Sequence, residues 1–243
     1  MPTATDPAVN KSDERLLVAD RLYRFFHAGN EETQALRGVS LEIEAGEVVT
    51  ISGPSGSGKS TLLACLAGLD EPDGGVVTVR GEQLSRRPEH ERAAVRARHI
   101  GMLFQSNNLL DHLSVEANVV LAQRLAKRVD PGRVTRILDE LGLRQRAGAR
   151  PSQLSGGEAA RAGLAVALAN NPAVILADEP TGELDTVTAS MVIDLLLDQA
   201  IAGAGVVIVT HSQALASVAS REIHLQDGSV VESRPGRLRG SKP

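Results

Sequence analysis

The run Val48-Val49-Thr50-Ile51-Ser52-Gly53-Pro54-Ser55-Gly56-Ser57-Gly58-Lys59-Ser60-Thr61-Leu62-Leu63-Ala64-Cys65-Leu66 decides the fold. A β-rich apolar stretch ends at Ser52, a glycine-rich loop follows, and helix formers take over from Thr61 to Leu66. That order, with Gly53 and Gly58-Lys59-Ser60 at their spacing, is the phosphate-binding loop in the context it requires. Glycines let the backbone approach phosphates closely, so that N–H groups and a helix N-terminus face the negative charge. Lys59 is placed to bridge the β and γ phosphates. The Ser60 hydroxyl is the oxygen ligand expected for Mg²⁺, an ion that usually keeps several waters.

A second half of the site is expected far along the chain. Val174-Ile175-Leu176-Ala177-Asp178-Glu179 is a buried strand ending in adjacent carboxylates. Asp178 can reach the Mg²⁺ shell, while Glu179, on the opposite face of the chain, can orient or deprotonate an attacking water. Acidic pairs at strand ends also cap helices, and the phosphate loop favours the chemical reading.

Outward from these stretches, short β-rich runs alternate with helical ones, which predicts an α/β layered domain with a mainly parallel sheet. Strands are expected over Leu16–Phe26, Val39–Glu44, Val76–Val79, Ile100–Phe104, Ala173–Asp178 and Gly205–Thr210, with a helix over Thr186–Ala202. A polar loop from His27 to Gln34 is expected to join the first two strands. From about residue 88 to 168 the texture is charged and helix-forming, as a helical insertion would be. Residues 1–14 and 234–243, the latter carrying Arg234, Arg237, Arg239 and Lys242, are expected to be loose tails around a domain at 15–233. Attraction of the basic tail to a membrane surface is the second possibility there.

The 243 residues carry 26 basic and 30 acidic side chains, a net charge of −4, so nucleic acid is a poor first expectation. Apolar runs such as Val206-Val207-Ile208-Val209 are far shorter than the roughly 20 residues a membrane helix needs. Met1 to Asp13 lacks the plan of a secretory signal. The single cysteine, Cys65, fits a reducing compartment and reads as a small buried residue.

Leu154-Ser155-Gly156-Gly157-Glu158 narrows the reading, because it closely resembles the signature sequence of ABC ATPases. Ser155 and the glycine pair at a helix start form another anion cradle. The resemblance extends from about Leu16 to Val231. It implies an ABC-type P-loop NTPase with a mainly parallel core sheet, an antiparallel β subdomain and an inserted helical signature subdomain. ATP would be held at Gly53, Pro54, Ser55, Gly56, Ser57, Gly58, Lys59, Ser60 and Thr61 of one copy and at Ser155, Gly156, Gly157 and Glu158 of a second, in a head-to-tail dimer. Gln105 resembles the Q-loop glutamine that contacts Mg²⁺ or the attacking water. Gly182-Glu183-Leu184-Asp185 is similar to the D-loop, whose Asp185 would cross the dimer interface. His211 resembles the switch histidine that senses the γ phosphate.

Adenine stacking in this family falls to an aromatic residue before the phosphate loop, and the chain holds only one Tyr and three Phe. Among Tyr23, Phe25 and Phe26, the choice is Phe26, because Phe26-His27-Ala28-Gly29-Asn30-Glu31 resembles the loop of the macrolide-exporter, lipoprotein-releasing and cell-division subgroup. The alternative is that Phe26 packs in the core and another ring stacks on the base. Gln105-Ser106-Asn107-Asn108-Leu109-Leu110, Ser114-Val115-Glu116-Ala117-Asn118-Val119 and Ala177–Asp185 match the same subgroup.

The implied protein is an ATPase on the inner face of a membrane, driving a separate permease that contacts it near residues 104–119. An ATP-operated clamp without transport is the alternative. A DNA-repair or ribosome-associated ATPase is less favoured, since the chain shows no coiled-coil insertion or basic extension. The chain departs from the family's usual pattern after the signature, where Glu158-Ala159-Ala160 replaces a Gln-rich stretch and Val166 stands where Arg is common.

Overall fold

The computed structural model describes residues 15–28, 31–106, 108–182 and 184–236. In chain order the strands are β1 (Arg15–Ala28), β2 (Glu31–Glu44), β3 (Val48–Ser52), β4 (Gly74–Val79), β5 (Glu82–Gln83), β6 (Ile100–Leu103), β7 (Val174–Asp178), β8 (Gly205–Val209), β9 (Arg221–Gln226) and β10 (Ser229–Pro235). The α-helices are α1 (Lys59–Leu66), α2 (Glu89–His99), α3 (Val115–Leu125), α4 (Pro131–Glu140), α5 (Gly156–Leu168), α6 (Thr186–Ile201) and α7 (Gln213–Val218).

Among the described residues the strands form a four-stranded antiparallel sheet, order β2-β1-β4-β5, and a six-stranded sheet, order β10-β9-β3-β8-β7-β6. In the larger sheet every pair is parallel except β9 with β10. Parallel strands are buried on both faces, which is why β7 and β8 read as continuous apolar runs. Side chains alternate between the faces. Val207 and Val209 join the core shared with the antiparallel sheet and α1, where Leu17, Ile43, Ile51, Leu62 and Leu66 also lie. Val206 and Ile208 point the other way, into a core built with α3 to α6 through Val115, Ile137, Leu164 and Leu196.

Helix starts follow local chemistry. Ser114, Asp130, Ser155 and Asp185 each accept a backbone N–H from the first turn of the helix they precede, and Pro131 opens α4, where its missing N–H costs nothing. β6 pairs with β7 in the main sheet, so the charged stretch between residues 88 and 168 is interrupted by a core strand, and α3 to α5 follow it.

Two sequence expectations are corrected. The loop placed over His27–Gln34 is mostly strand: β1 continues to Ala28 and β2 already begins at Glu31, with Phe26 opposite Thr33. Polar residues on a solvent-facing hairpin lack the apolar alternation that reveals a strand. Arg234 and Pro235, expected in the basic tail, belong to β10, where Arg234 lies opposite Glu222 and Pro235 opposite Arg221. The other tail positions, 1–14 and 237–243, lie outside the described residues, as do Asn107 and Glu183.

Candidate functional site

Because β3, β6, β7 and β8 run parallel, their C-terminal ends meet at one edge of the sheet, where α/β folds place ligands. The residues that follow them line a single open cleft of about 890 Å³: Ser55, Gly56, Gly58, Lys59, Ser60 and Thr61 after β3, Gln105 after β6, Asp178, Glu179 and Gly182 from β7, and His211 after β8. Phe26 completes it from β1.

The phosphate loop is held from below. Lys59 is 8% exposed, and its ammonium donates to the carbonyls of Gly53 and Pro54, both at 2.8 Å. Gly58 precedes α1 with φ +99°, and a Cβ there would lie 2.3 Å from the Ala35 carbonyl oxygen, so only glycine fits. No side chain caps the N-terminus of α1, leaving its first N–H groups to face the cleft. The Ser57 hydroxyl is buried and has no hydrogen-bond partner among the described residues. These features suit an anionic phosphate chain.

Ser60, at the start of α1, and Asp178, at the end of β7, are far apart in the sequence and meet in the cleft. Burial, then the neighbouring Glu179 charge, push the Asp178 carboxyl above its ordinary value, while Lys59 and Ser60 oppose the shift. Glu179 adopts φ +44°, an uncommon conformation for a residue with a Cβ, which turns its carboxylate toward the end of β8. There it accepts the Thr210 hydroxyl and the His211 backbone N–H, each at 3.0 Å. Gln105 lies beside Gly182, where a Cβ would be 3.4 Å from the Gln105 Nε2.

The signature residues are elsewhere. Ser155, Gly156, Gly157 and Glu158 do not line the cleft; they open α5, where the Ser155 hydroxyl accepts the Glu158 N–H and the Glu158 carboxylate accepts the Ser155 N–H. Arg146 donates to the same carboxylate at 2.8 Å. The Ser155 N–H, then Arg146, hold the Glu158 carboxyl below its ordinary value. Asp185 also lies outside the cleft and caps α6, accepting the Thr188 hydroxyl at 2.7 Å. Gly157 packs against that Thr188 side chain.

The sequence reading missed part of the wall. Thr33, Gln34, Ala35 and Arg37 from β2, with Asp227 and Gly228 between β9 and β10, also line the cleft. Gly228 ties these parts together: its N–H donates to the Ser57 carbonyl at 3.0 Å, and its own carbonyl accepts the Arg37 N–H at 2.8 Å. The Asp-Gly turn signal at residues 227–228 was the available clue.

The sequence profile of the family described as "ABC transporter" matches residues 36–182, a span holding the phosphate loop, the signature helix and Asp178-Glu179. The chain belongs to the ABC transporter family. Within it, the lipoprotein-releasing system ATP-binding protein LolD of Bacteroides fragilis is 44% identical over 202 residues, covering 82% of this chain and 94% of that protein. The macrolide export ATP-binding/permease protein MacB of Burkholderia thailandensis is 44% identical over 224 residues, 91% of this chain but 34% of that longer protein. Two of the three types in the expected subgroup, the lipoprotein-releasing and the macrolide-exporting, are thus among its relatives. A dimeric structure of MJ0796, a bacterial ABC transporter cassette, superposes with a TM-score of 0.83 at 36% identity, covering 93% of this chain and all of that one. The same cassette in a post-hydrolysis state bound to ADP and Pi gives 0.84 at 35% identity. This ABC chain is therefore an ATP-binding ATPase subunit with the α/β cassette fold, and among the described residues no helix is long and apolar enough to cross a membrane.

Proposed function

We propose that this ABC subunit hydrolyses ATP at composite sites shared with a second nucleotide-binding subunit, most simply another copy of itself, and that closure of the pair drives a separate membrane permease. One observation carries the reading. The phosphate loop, Ser60 with Asp178, and Glu179 with His211 line one cleft, whereas the second anion cradle, Ser155 to Glu158, opens a helix outside it. A cleft and a cradle of the same ligand chemistry on separate surfaces suit a head-to-tail pair. The dimeric MJ0796 cassette supports this arrangement by analogy.

In this reading Lys59 and the N-terminus of α1 neutralise the phosphates, and Phe26 carries the adenine on its ring. Ser60, Asp178 and Gln105 would hold Mg²⁺, which would supply positive charge to stabilise the phosphates. Glu179 orients the attacking water and accepts its proton, and His211 senses the γ phosphate from the adjoining strand end. Asp185 reaches the partner subunit from the N-terminus of α6. Residues 104–119, which leave the sheet beside Gln105 and enter α3, form the surface offered to the permease and so couple it to the nucleotide. The subunit is accordingly placed in the cytoplasm, against the inner face of the membrane.

An ATP-operated clamp that signals without transport would use the same site. Reconstitution with its permease separates the two: ATP-driven movement of substrate across or out of the bilayer supports transport, while ATP-dependent association without any movement favours the clamp. ATP turnover at full rate by the isolated monomer would overturn the composite site itself.

A further inference from the structure

Phe26 is 43% exposed and lines the cleft, yet one side of its ring is already taken. The Arg24 guanidinium carbon stands 4.7 Å from the ring centroid. Arg24 does not itself line the cleft, so the cation stacks on the Phe26 ring without occupying the space where a ligand would sit. The guanidinium is also firmly held. Its Nε and one terminal nitrogen donate to the two carboxylate oxygens of Asp70, both at 2.8 Å, and its other terminal nitrogen donates to Asp73 at 3.1 Å. Asp73 in turn accepts the Phe25 N–H at 2.7 Å. Both aspartates belong to the segment between α1 and β4, so the anchor of this arginine is the chain leaving the phosphate-loop helix.

We infer that Arg24 is a positioning and specificity residue for the nucleotide base, fixing the Phe26 ring from behind and polarising it toward the purine that stacks on its open face. The inference rests on the reading that Phe26 is the base platform.

The chemistry favours arginine here. Its planar fork spends its N–H edges on carboxylates and leaves its face free for an aromatic ring, which an ammonium cannot do. A cation over one face draws π density toward itself, so the opposite face repels the π cloud of a base less. Fixing the ring in advance also lowers the cost of ordering it when the base arrives. Arg24 and Phe26 stand two apart on β1, so their side chains share a face, while the register shift beside them leaves its extra residue, Ala35, on β2. Because Asp70 and Asp73 lead back to α1, the base platform and the phosphate loop are parts of one braced unit.

The test compares ADP with inorganic pyrophosphate, a probe that has phosphates and no base, by calorimetric titration of the full chain. Arg24→Met is expected to weaken ADP binding about fivefold, the scale of one cation–π contact, and to leave pyrophosphate unchanged. In a Phe26→Leu background the same substitution should have no further effect on ADP. Arg24→Lys, which keeps the charge and is the less disruptive change, should fall between the wild type and Arg24→Met. Equal weakening of both probes would overturn the inference, since Arg24 would then be a brace for the phosphate side alone. An undiminished loss in the Phe26→Leu background would also overturn it. If Phe26→Leu weakens ADP while neither arginine variant does, only the role of Arg24 fails; if Phe26→Leu changes nothing, the base platform itself is wrong and this inference falls with it.

Discussion

Glu179 and His211 are joined through the backbone more closely than through their side chains. The Glu179 Oε1 accepts the His211 N–H at 3.0 Å, while the imidazole Nε2 stands 3.9 Å from the same oxygen and 63% of the His211 side chain remains exposed. The backbone bond fixes where the carboxylate points, and the Thr210 hydroxyl fixes its second oxygen. The imidazole keeps its freedom to follow a ligand. One strand end therefore holds the Glu179 carboxylate rigidly and leaves the His211 ring loosely placed.

Replacing Glu179 with Gln keeps the shape and removes the basic oxygen. General-base assistance contributes about 10²–10⁴-fold. The variant is expected to lose ATP turnover on that scale while its ATP affinity stays close to that of the wild type. Steady-state phosphate release and equilibrium nucleotide titration check the two halves, and wild-type turnover would remove Glu179 from the chemistry.

Lys59→Ala addresses the phosphates. Hydrogen bonds to charged groups are worth roughly 1.5–3 kcal/mol each, so losing the ammonium should weaken ATP about tenfold to a hundredfold. Its partners in the protein are carbonyls of its own loop, so the melting temperature should change far less than the affinity. Titration with ATP alongside thermal melting reads both.

Ser155→Arg tests the shared site. Ser155 is exposed at the start of α5 and outside the cleft, and losing its cap should cost about 1 kcal/mol of stability. Binding of ADP to the isolated chain should persist. Turnover should be lost, together with any dependence of the specific rate on protein concentration. A variant that kept turning over ATP would place the signature outside catalysis.

Gly163→Ala sets two effects against each other. Alanine is favoured over glycine inside a helix by about 0.8–1 kcal/mol, which would stabilise α5. A Cβ at this position, however, would stand 2.7 Å from the Cβ of Asn108. Asn108 cannot easily withdraw, because its amide bonds both the N–H and the carbonyl of Phe104, each at 2.7 Å. Overpacking costs about 1–3 kcal/mol, so the net change should be destabilising, and ATPase should fall because Gln105 follows Phe104. Urea unfolding and turnover measure the two consequences.

Cys65 lies on the buried face of the phosphate-loop helix, and burial pushes its thiol up to about 12. At pH 8 it should be almost wholly protonated, and thiolate is the reactive form. Iodoacetamide should leave the native chain unlabelled over hours and label it promptly in denaturant. Fast labelling of the native chain would mean that α1 opens readily.

The sequence by itself determined the chemical parts. A glycine-rich loop between a buried strand and a helix, an Asp-Glu pair closing an apolar run, and Ser-Gly-Gly-Glu before a helix are local patterns. Their meaning comes from hydrogen bonding and periodicity within a few residues. Strands β3, β7 and β8 were legible for the same reason, since burial on both faces writes itself as an unbroken apolar run. The β9–β10 hairpin was not: β9 opens on the charged pair Arg221-Glu222, the edge strand β10 is mostly polar and exposed, and nothing in either names a partner.

What only the tertiary structure decided is how the parts face one another. That Phe26 lines the cleft depends on strand register, and the register shifts in β1 break the simple alternation by which a side chain's face could be counted from the sequence. Thr33, Arg37 and Asp227 join the wall because the hairpin and the β9–β10 turn fold over the phosphate loop. The signature, which lies between Gln105 and Asp178 in sequence, leaves the cleft that holds both, because a parallel sheet gathers strand ends at one edge while the inserted helices carry Ser155 away from it. Contacts between residues distant in the chain follow from packing, and no local pattern encodes them.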